Sequence, residues 1–163
     1  MIKRFLHYYK PHKALFTLDM LASLLVALIA ILYPMVTRTM LNDLIPNKNY
    51  RMVVIFGLGL LLLYFVRMLL NYFIQYEGHV MGLRMQAQMR SDLFNHLQKL
   101  PFSFYDNHET GKIMTRLTSD LFEVTELAHH GPENLLISGV SVIISFIYLS
   151  TINLWLSLII FAC

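Results

Sequence analysis

Charged residues are scarce in this sequence, and their scarcity excludes most soluble folds. Of the 163 residues, 14% are Asp, Glu, Lys or Arg, whereas ordinary globular chains carry about 25%. Apolar residues account for 56%. Because so few charged side chains cannot cover the surface of a water-soluble domain, the composition predicts a chain whose outer solvent is a lipid bilayer.

Cysteine and runs of like charge are also lacking. The one cysteine is Cys163, at the last position, which excludes an internal disulfide framework. The net charge of +3 comes from scattered Lys and Arg, without the basic stripe between aromatics that nucleic-acid-binding surfaces show. The first apolar run is too long for a secretory signal, and no small-residue cleavage site follows it. We therefore expect a retained membrane span and no nucleic-acid partner.

Long apolar runs are what the sequence does contain. Residues 14–36 hold one ionisable side chain, Asp19, and residues 52–76 hold one charge, Arg67. Each run has the ~20 residues needed to cross the hydrocarbon core. The two charges would lie at depths of roughly 8 and 13 Å from the same membrane face, so we predict an intramembrane pair. Alternatively, Asp19 lies among the head groups and Arg67 snorkels or lines a cavity.

The remaining runs complete an all-α membrane protein. A third transmembrane helix is predicted at 133–151 and the start of a fourth at 154–163, with a tight turn between them. Residues 1–13 are basic on one side and apolar on the other, which is typical of an elbow helix in the membrane interface; a frayed, solvated terminus is the alternative. The chain therefore divides into an amphipathic elbow at 1–13 and a membrane domain at 14–163.

Residues 77–132 fit neither a span nor an ordinary loop. Apolar side chains recur there at helical spacing, with charges on the other faces. The apolar positions are Val80, Leu83, Ala87, Phe94 and Leu97, and then Ile113, Leu117, Leu121, Val124 and Ala128. We predict that two spans continue as long helical stalks outside the bilayer. Lys and Arg number four in 1–13 and five in 77–132, against three in the loop at 37–51, so the positive-inside rule places the N-terminus and the stalks in the cytoplasm.

Motifs for enzymatic and metal chemistry fail. The Thr-Gly-Lys at 110–112 lacks both the earlier glycine and the following Ser or Thr of a phosphate-binding loop. The His-Glu at 108–109 begins a zinc-protease pattern, but a lysine stands where the second histidine belongs. Glu126 and His130 would supply only two metal ligands, and the adjacent His129 points about 100° away on a helix. We therefore predict no catalytic, cofactor-binding or metal site, and no enzyme activity, in these residues.

The most informative stretch is the segment 100–120. It reads Leu-Pro-Phe-Ser-Phe-Tyr-Asp-Asn-His-Glu-Thr-Gly-Lys-Ile-Met-Thr-Arg-Leu-Thr-Ser-Asp. This order of proline, paired aromatics, acid, Thr-Gly and an Arg-hydrophobic-Thr-x-Asp ending closely resembles the first intracellular loop of type-1 ABC exporters, among them bacterial lipid flippases and multidrug half-transporters. The elbow, the short outer loop and the stalks also follow the order of that family. The resemblance covers this whole chain but only the front of the family's usual polypeptide.

The resemblance implies a coupling helix between the stalks, seated in a groove of a nucleotide-binding domain. The residues expected to contact that domain are Phe104, Tyr105, Asp106, Thr110 and Gly111. Aromatics exposed at a stalk tip would otherwise be a liability in water, and a glycine would let the backbone turn into the returning stalk. Asp120 and Glu123 have the spacing of a capping box where the next helix starts. Alternatively, the two aromatics pack onto the stalks themselves.

By resemblance, the chain is the membrane-spanning part of an ATP-driven exporter, multi-pass in the plasma membrane. It would form part of the translocation pathway and couple ATP hydrolysis by a nucleotide-binding domain, absent from these residues, to export of an unidentified substrate. ATP and Mg²⁺ are implied for that domain, and a second half-transporter, identical or different, for a dimer. The competing hypothesis is a small self-contained membrane protein with a scaffolding or inhibitory role and no transport activity.

Overall fold

The computed structural model describes residues 2–162 and the side chains of residues 5–161, so Met1 and Cys163, at the ends of the predicted elbow and fourth span, lie outside it. Within the described range the chain is 90% helical and contains no strand. The all-α fold predicted from the composition is therefore confirmed.

Seven α-helices follow one another along residues 2–162. They are α1 (Ile2–His7), α2 (Lys13–Thr39), α3 (Tyr50–Leu97), α4 (Phe102–Asp106), α5 (Thr110–Thr115), α6 (Leu121–Ile152) and α7 (Leu154–Ala162). A 3₁₀ turn at Lys10–His12 leads into α2, and π-helical turns at Met40–Leu44 and Arg116–Asp120 follow α2 and precede α6.

Among residues 2–162, three helical stretches are long and apolar enough to cross a membrane. They are Phe5–Leu44, Tyr50–Leu97 and Thr110–Ile152, which confirms the predicted three transmembrane helices. The 48 residues of α3 extend about 72 Å at 1.5 Å per residue. Because the hydrocarbon core is about 30 Å thick, a large part of α3 must lie outside it.

The chain divides into two compact units. The stalk unit contains the residues up to Asp19 together with Gln75–Glu133, and the membrane unit contains Met20–Ile74 and the residues from Asn134 onward. The elbow, the stalk parts of α3 and α6, and the short helices α4 and α5 therefore belong to one unit.

A stripe of methionines forms the core of the stalk unit on α3. Met81, Met85 and Met89 recur every four residues, are at most 6% exposed, and pack with buried residues of α6. The stripe predicted for this stalk is wrong, because Leu83 and Phe94 are 61% and 53% exposed. Flexible methionine side chains fill irregular gaps between helices, and here they occupy the inner face that the prediction gave to aliphatic and aromatic residues.

The stripe predicted for the second stalk is largely confirmed. Leu117, Leu121 and Ala128 are buried, whereas Val124 is 42% exposed and Thr125 is buried in its place. Thr125 tolerates burial because its hydroxyl donates to backbone carbonyls one turn earlier on the same helix.

The N-terminal elbow packs onto the same core through aromatic rings. The Tyr9 hydroxyl donates a hydrogen bond of 2.7 Å to the carbonyl oxygen of Ala128. Pro132 lies four residues after Ala128, inside α6, and has no N–H to donate to that carbonyl. The Tyr9 hydroxyl therefore donates to the Ala128 carbonyl in place of the backbone N–H that Pro132 lacks. The Tyr8 hydroxyl donates to Asp92 Oδ2 on α3 at 2.9 Å.

The predicted capping box at Asp120 and Glu123 is wrong. The helical backbone continues from Thr110 to Ile152, and Asp120 ends a π-helical turn within it. An N-cap needs extended backbone, and in this stretch Glu109 has it, with ψ 115. The continuous helix therefore begins at Thr110, and not just after Asp120 as predicted.

Within the membrane unit, single residues set the helix boundaries. The break between α6 and α7 is confined to Asn153, whose Oδ1 accepts the backbone N–H of Leu156 at 3.1 Å and so caps α7. Pro34 lies inside α2, where it removes the N–H that would reach the Ala30 carbonyl. The non-helical part of the loop predicted at 37–51 shrinks to 45–49.

Candidate functional site

The segment between the two stalks folds as two short helices. Pro101 has extended backbone (φ −69, ψ 156) and its carbonyl accepts the N–H of Phe104 at 2.9 Å, which starts α4. The five residues of α4 end at Asp106, and α5 begins at Thr110. The contact surface predicted from Phe104 to Gly111 therefore includes the end of α4, a three-residue linker and the first turn of α5.

Tyr105 faces the stalk. Its hydroxyl donates a hydrogen bond of 2.6 Å to the carbonyl oxygen of Leu97, in the last turn of α3, where carbonyls lack helical partners. Its half-buried ring lines a groove together with Phe94, Ile113 and Leu117. Tyr105 therefore packs onto the stalk, as the alternative hypothesis expected. The predicted contact between Tyr105 and a partner domain stays a prediction.

Phe104 is half-buried within α4 and its linker. Its ring stacks on the imidazole of His108 with centroids 4.1 Å apart and meets Tyr105 edge-on at 5.4 Å. The His108 Nδ1 lies 2.8 Å from the carbonyl oxygen of Phe104. These contacts hold the end of α4 and the linker as one local structure.

Phe102 is the aromatic that the sequence reasoning missed. It is the first residue of α4 and is 90% exposed, more than either predicted aromatic. A signal was available, since Phe102 directly follows Pro101 and no earlier turn of helix covers it. An aromatic ring held in water on a short helix is typical of an interface anchor.

Gly111 lies in the first turn of α5 with helical backbone. No described glycine has a positive φ, so the turning role predicted for Gly111 is wrong. A Cβ added there would meet no packing neighbour within 4 Å in the part of the chain that the structure describes, so packing within that part does not require glycine at this position. Asp106 and Thr110, also predicted as contacts, are exposed.

Arg67 and Asp19 lie in different environments. Arg67 belongs to the membrane unit, where it lines a largely apolar cavity of about 190 Å³ with Tyr33 and Tyr64. Asp19 belongs to the stalk unit, is 1% exposed, and has Oδ2 3.8 Å from His129 Nδ1. Their pairing stays a prediction.

The structure brings together more metal-ligand side chains than the two considered from sequence. His79, Glu126 and His130 form one group, and His129, His130 and Glu133 form another, with the ligand atoms of each group within 4.8 Å of one another. Glu133 could have been found from sequence, because it lies three and four residues after the two adjacent histidines. His79 comes from α3, and no sequence spacing predicts its approach.

Comparison with known proteins identifies the family. Residues 16–163 match the family described as the ABC transporter transmembrane region. The chain is 37% identical over 161 residues, 99% of its length, to an uncharacterized ABC transporter ATP-binding protein of Bacillus subtilis, and covers 28% of that protein. It is 31% identical over 124 residues, 76% of its length, to an ATP-dependent lipid A-core flippase of Idiomarina loihiensis, covering 21% of it.

A putative multidrug export ATP-binding/permease protein of Staphylococcus aureus is 24% identical over 152 residues, with 89% of this chain and 26% of that protein covered. The chain thus spans about a quarter of the length of these relatives. The resemblance first indicated by the loop at 100–120 is confirmed, and the chain belongs to the family of ABC transporter transmembrane regions.

Proposed function

We propose that this chain is the membrane-spanning part of an ATP-driven exporter and that α4 transmits force from a nucleotide-binding domain. ATP, Mg²⁺ and a second half-transporter belong to the assembly that this proposal requires. The observation that carries it is the 90% exposed ring of Phe102 on the five-residue α4, which lies between α3 and the helical stretch that runs from Thr110 to Ile152. Family membership and relatives named as a flippase and as a putative multidrug exporter support it.

The open space beside Gly111 supports the same docking surface. Since no other described residue packs within 4 Å of a Cβ built there, a partner backbone could approach α5 closely at that point. We define the docking surface as the exposed Phe102, Asp106, Thr110 and Gly111. Phe104 and Tyr105 then act mainly by holding α4 against the stalk.

The proposal includes an orientation. A nucleotide-binding domain works in the cytoplasm, so α4, the stalk unit and the N-terminus lie on the cytoplasmic side of the plasma membrane. The excess of Lys and Arg in 1–13 and 77–132 over 37–51 supports this placement.

Phe102→Ala in the assembled transporter tests the docking role. We expect normal insertion and thermal stability, because the ring makes few contacts within this chain, but loss of coupling between ATP hydrolysis and transport. Transport and ATP hydrolysis are measured together in proteoliposomes. Phe122→Ala on α6 is the matched control, since it deletes a half-exposed ring, 50% accessible, outside the docking surface. Fully coupled transport by Phe102→Ala contradicts the proposal.

A further inference from the structure

A cluster of histidines and carboxylates lies inside the stalk unit, away from the docking surface. Its members are Asp19 of α2, His79 of α3, and Glu126, His129, His130 and Glu133 of α6. Neither the proposed docking function nor the apolar core uses these groups.

Three members of the cluster are buried almost completely. The side chains of Asp19 and His129 are each 2% exposed, and that of Glu133 is 9% exposed. Both ring nitrogens of His129 lack a hydrogen-bond partner among the described residues, and both oxygens of Asp19 do as well. Leaving such buried polar groups unpaired destabilises the fold, so a further polar partner would stabilise the site.

The spacing of the nitrogen and oxygen atoms indicates what that partner is. Glu133 Oε2 lies 3.8 Å from His129 Nε2 and 3.4 Å from His130 Nδ1. The His130 contact is a long hydrogen bond in this structure, and both distances exceed the 2.7–3.2 Å typical of N–H···O hydrogen bonds. They are close to the roughly 3.3 Å that separates ligand atoms around a tetrahedral ion with bonds of about 2.0–2.1 Å.

Each histidine also has a carboxylate behind it. The second nitrogen of His129, Nδ1, lies 3.8 Å from Asp19 Oδ2. The second nitrogen of His130, Nε2, lies 3.5 Å from Glu126 Oε2. Metal-binding histidines commonly direct their other nitrogen to a carboxylate, which fixes the ring orientation and strengthens the ligand.

The backbone of α3 leaves room for this arrangement. The His129 ring lies directly against Gly78, where a Cβ would overlap its Cε1 and Nε2 and approach its Nδ1 to 2.7 Å. Glycine at this position therefore lets the ring lie between α3 and α6.

We propose that His129 Nε2, His130 Nδ1 and Glu133 Oε2 bind a divalent transition-metal ion, with Zn²⁺ the best match, and that Asp19 and Glu126 orient the two histidines. Two imidazoles and one carboxylate form a donor set suited to Zn²⁺ rather than to Mg²⁺ or Ca²⁺, which favour oxygen ligands. The ion would offset the carboxylate charges buried in the stalk unit. This inference does not depend on the proposed transport function.

The second group, His79 with Glu126 and His130, is the competing arrangement. The side chains of His79 and Glu126 are 49% and 38% exposed, whereas two of the three groups in the proposed site are at most 9% exposed. That arrangement would also leave the nitrogens of His129 unpaired. The buried group is therefore the better site.

A zinc titration tests the proposal. The tag-free protein in detergent is stripped of metal with a chelator, and Zn²⁺ binding is then measured. We expect one Zn²⁺ per chain, with affinity reduced more than about 100-fold by Glu133→Gln or His130→Ala and about 10- to 100-fold by Asp19→Asn. His79→Ala is the matched control and should leave the affinity unchanged. Co²⁺ in place of Zn²⁺ should give the visible absorption of a tetrahedral site.

Thermal unfolding separates loss of the site from loss of the fold. Zn²⁺ should raise the unfolding temperature of the wild type, as any ligand of the native state does, but not that of Glu133→Gln, whose metal-free unfolding temperature should match the wild type's within a few degrees. Failure of the wild type to bind Zn²⁺ overturns the proposal. So does loss of binding in His79→Ala with retention in Glu133→Gln.

Discussion

At the scale of single residues, Pro132 and Tyr9 show how a helix-breaking residue is accommodated. The proline deprives the Ala128 carbonyl of its helical donor, and the Tyr9 hydroxyl replaces it at 2.7 Å. Tyr9→Phe should therefore destabilise the protein by about 1–3 kcal/mol, because a buried acceptor loses its partner. Thermal unfolding in detergent measures the loss. Tyr8→Phe, which removes an exposed hydrogen bond to Asp92, should cost less.

A double-mutant cycle makes the test specific. With Pro132→Ala in place, a backbone N–H can again reach the Ala128 carbonyl, so Tyr9→Phe should cost distinctly less than it does alone. Equal costs in the two backgrounds would show that the hydroxyl acts in some other way.

Two glycines of α3, four residues apart, allow a matched comparison. A Cβ on Gly78 would overlap the His129 ring, whereas one on Gly82 would meet only the Thr125 carbonyl oxygen at 3.9 Å, an ordinary contact. Gly78→Ala should therefore destabilise the protein by about 1–3 kcal/mol through overpacking. Gly82→Ala should stabilise it by up to about 1 kcal/mol, since alanine favours a helix interior. Unfolding temperatures shifted in the same direction by both variants would contradict the close approach at Gly78.

At the scale of elements, the hydrogen bond from Tyr105 to Leu97 joins α4 to the end of α3. Tyr105→Phe keeps the ring but removes the 2.6 Å bond, so α4 should open more often while the rest of the stalk unit keeps its protection. Hydrogen exchange of the amides of residues 102–106 should become faster, and that of α3 near Met85 should not change. Unaltered exchange in α4 would mean that ring packing alone holds it.

Gly111→Ala separates a folding role from a docking role in α5. The new methyl group meets no packing neighbour among the described residues and improves helix propensity by up to about 1 kcal/mol, so the unfolding temperature should not fall. Coupled transport should nevertheless decrease if a partner approaches there. Unimpaired coupling would remove Gly111 from the docking surface and leave the fold unaffected.

The stalk helices show where prediction from sequence succeeds. Apolar runs located the membrane helices because lipid imposes a length and a composition on them. Helical spacing located Leu117 and Leu121 correctly, but it gave the wrong face on α3, where Met81 and its neighbours form the core. Methionine and leucine are both apolar, so periodicity alone could not decide which of two offset stripes lies inward.

The docking segment could be located from the sequence, whereas the complete histidine cluster could not. The loop at 100–120 identified the docking segment through its order of residues, yet the exposure of Phe102 and the inward position of Tyr105 depend on how α4 packs on the stalk. The histidine cluster also needs Asp19 of α2 and His79 of α3 beside His129 of α6, and these three helices are far apart in sequence. Only tertiary packing brings such groups together.

At the scale of the whole molecule, the orientation in the membrane is directly testable. In a Cys163→Ser background, Asn107→Cys in the linker after α4 should react with a membrane-impermeant thiol reagent only after the cytoplasmic side is opened. Lys48→Cys in the loop 45–49 should react in intact cells, since the positive-inside rule places that loop outside. The reverse pattern would contradict the proposed exporter topology.

The methionine core of the stalk unit has a consequence for oxidative chemistry. Peroxide converts exposed thioethers to polar sulfoxides, so Met114, at 59% exposed, should be modified long before Met81, Met85 and Met89, which are at most 6% exposed. Oxidation of any of these three methionines to the sulfoxide would indicate that α3 and α6 had transiently separated. The same substitution of polar for apolar atoms would oppose repacking of the helices, so oxidation of these three methionines should accumulate at the rate at which the core opens.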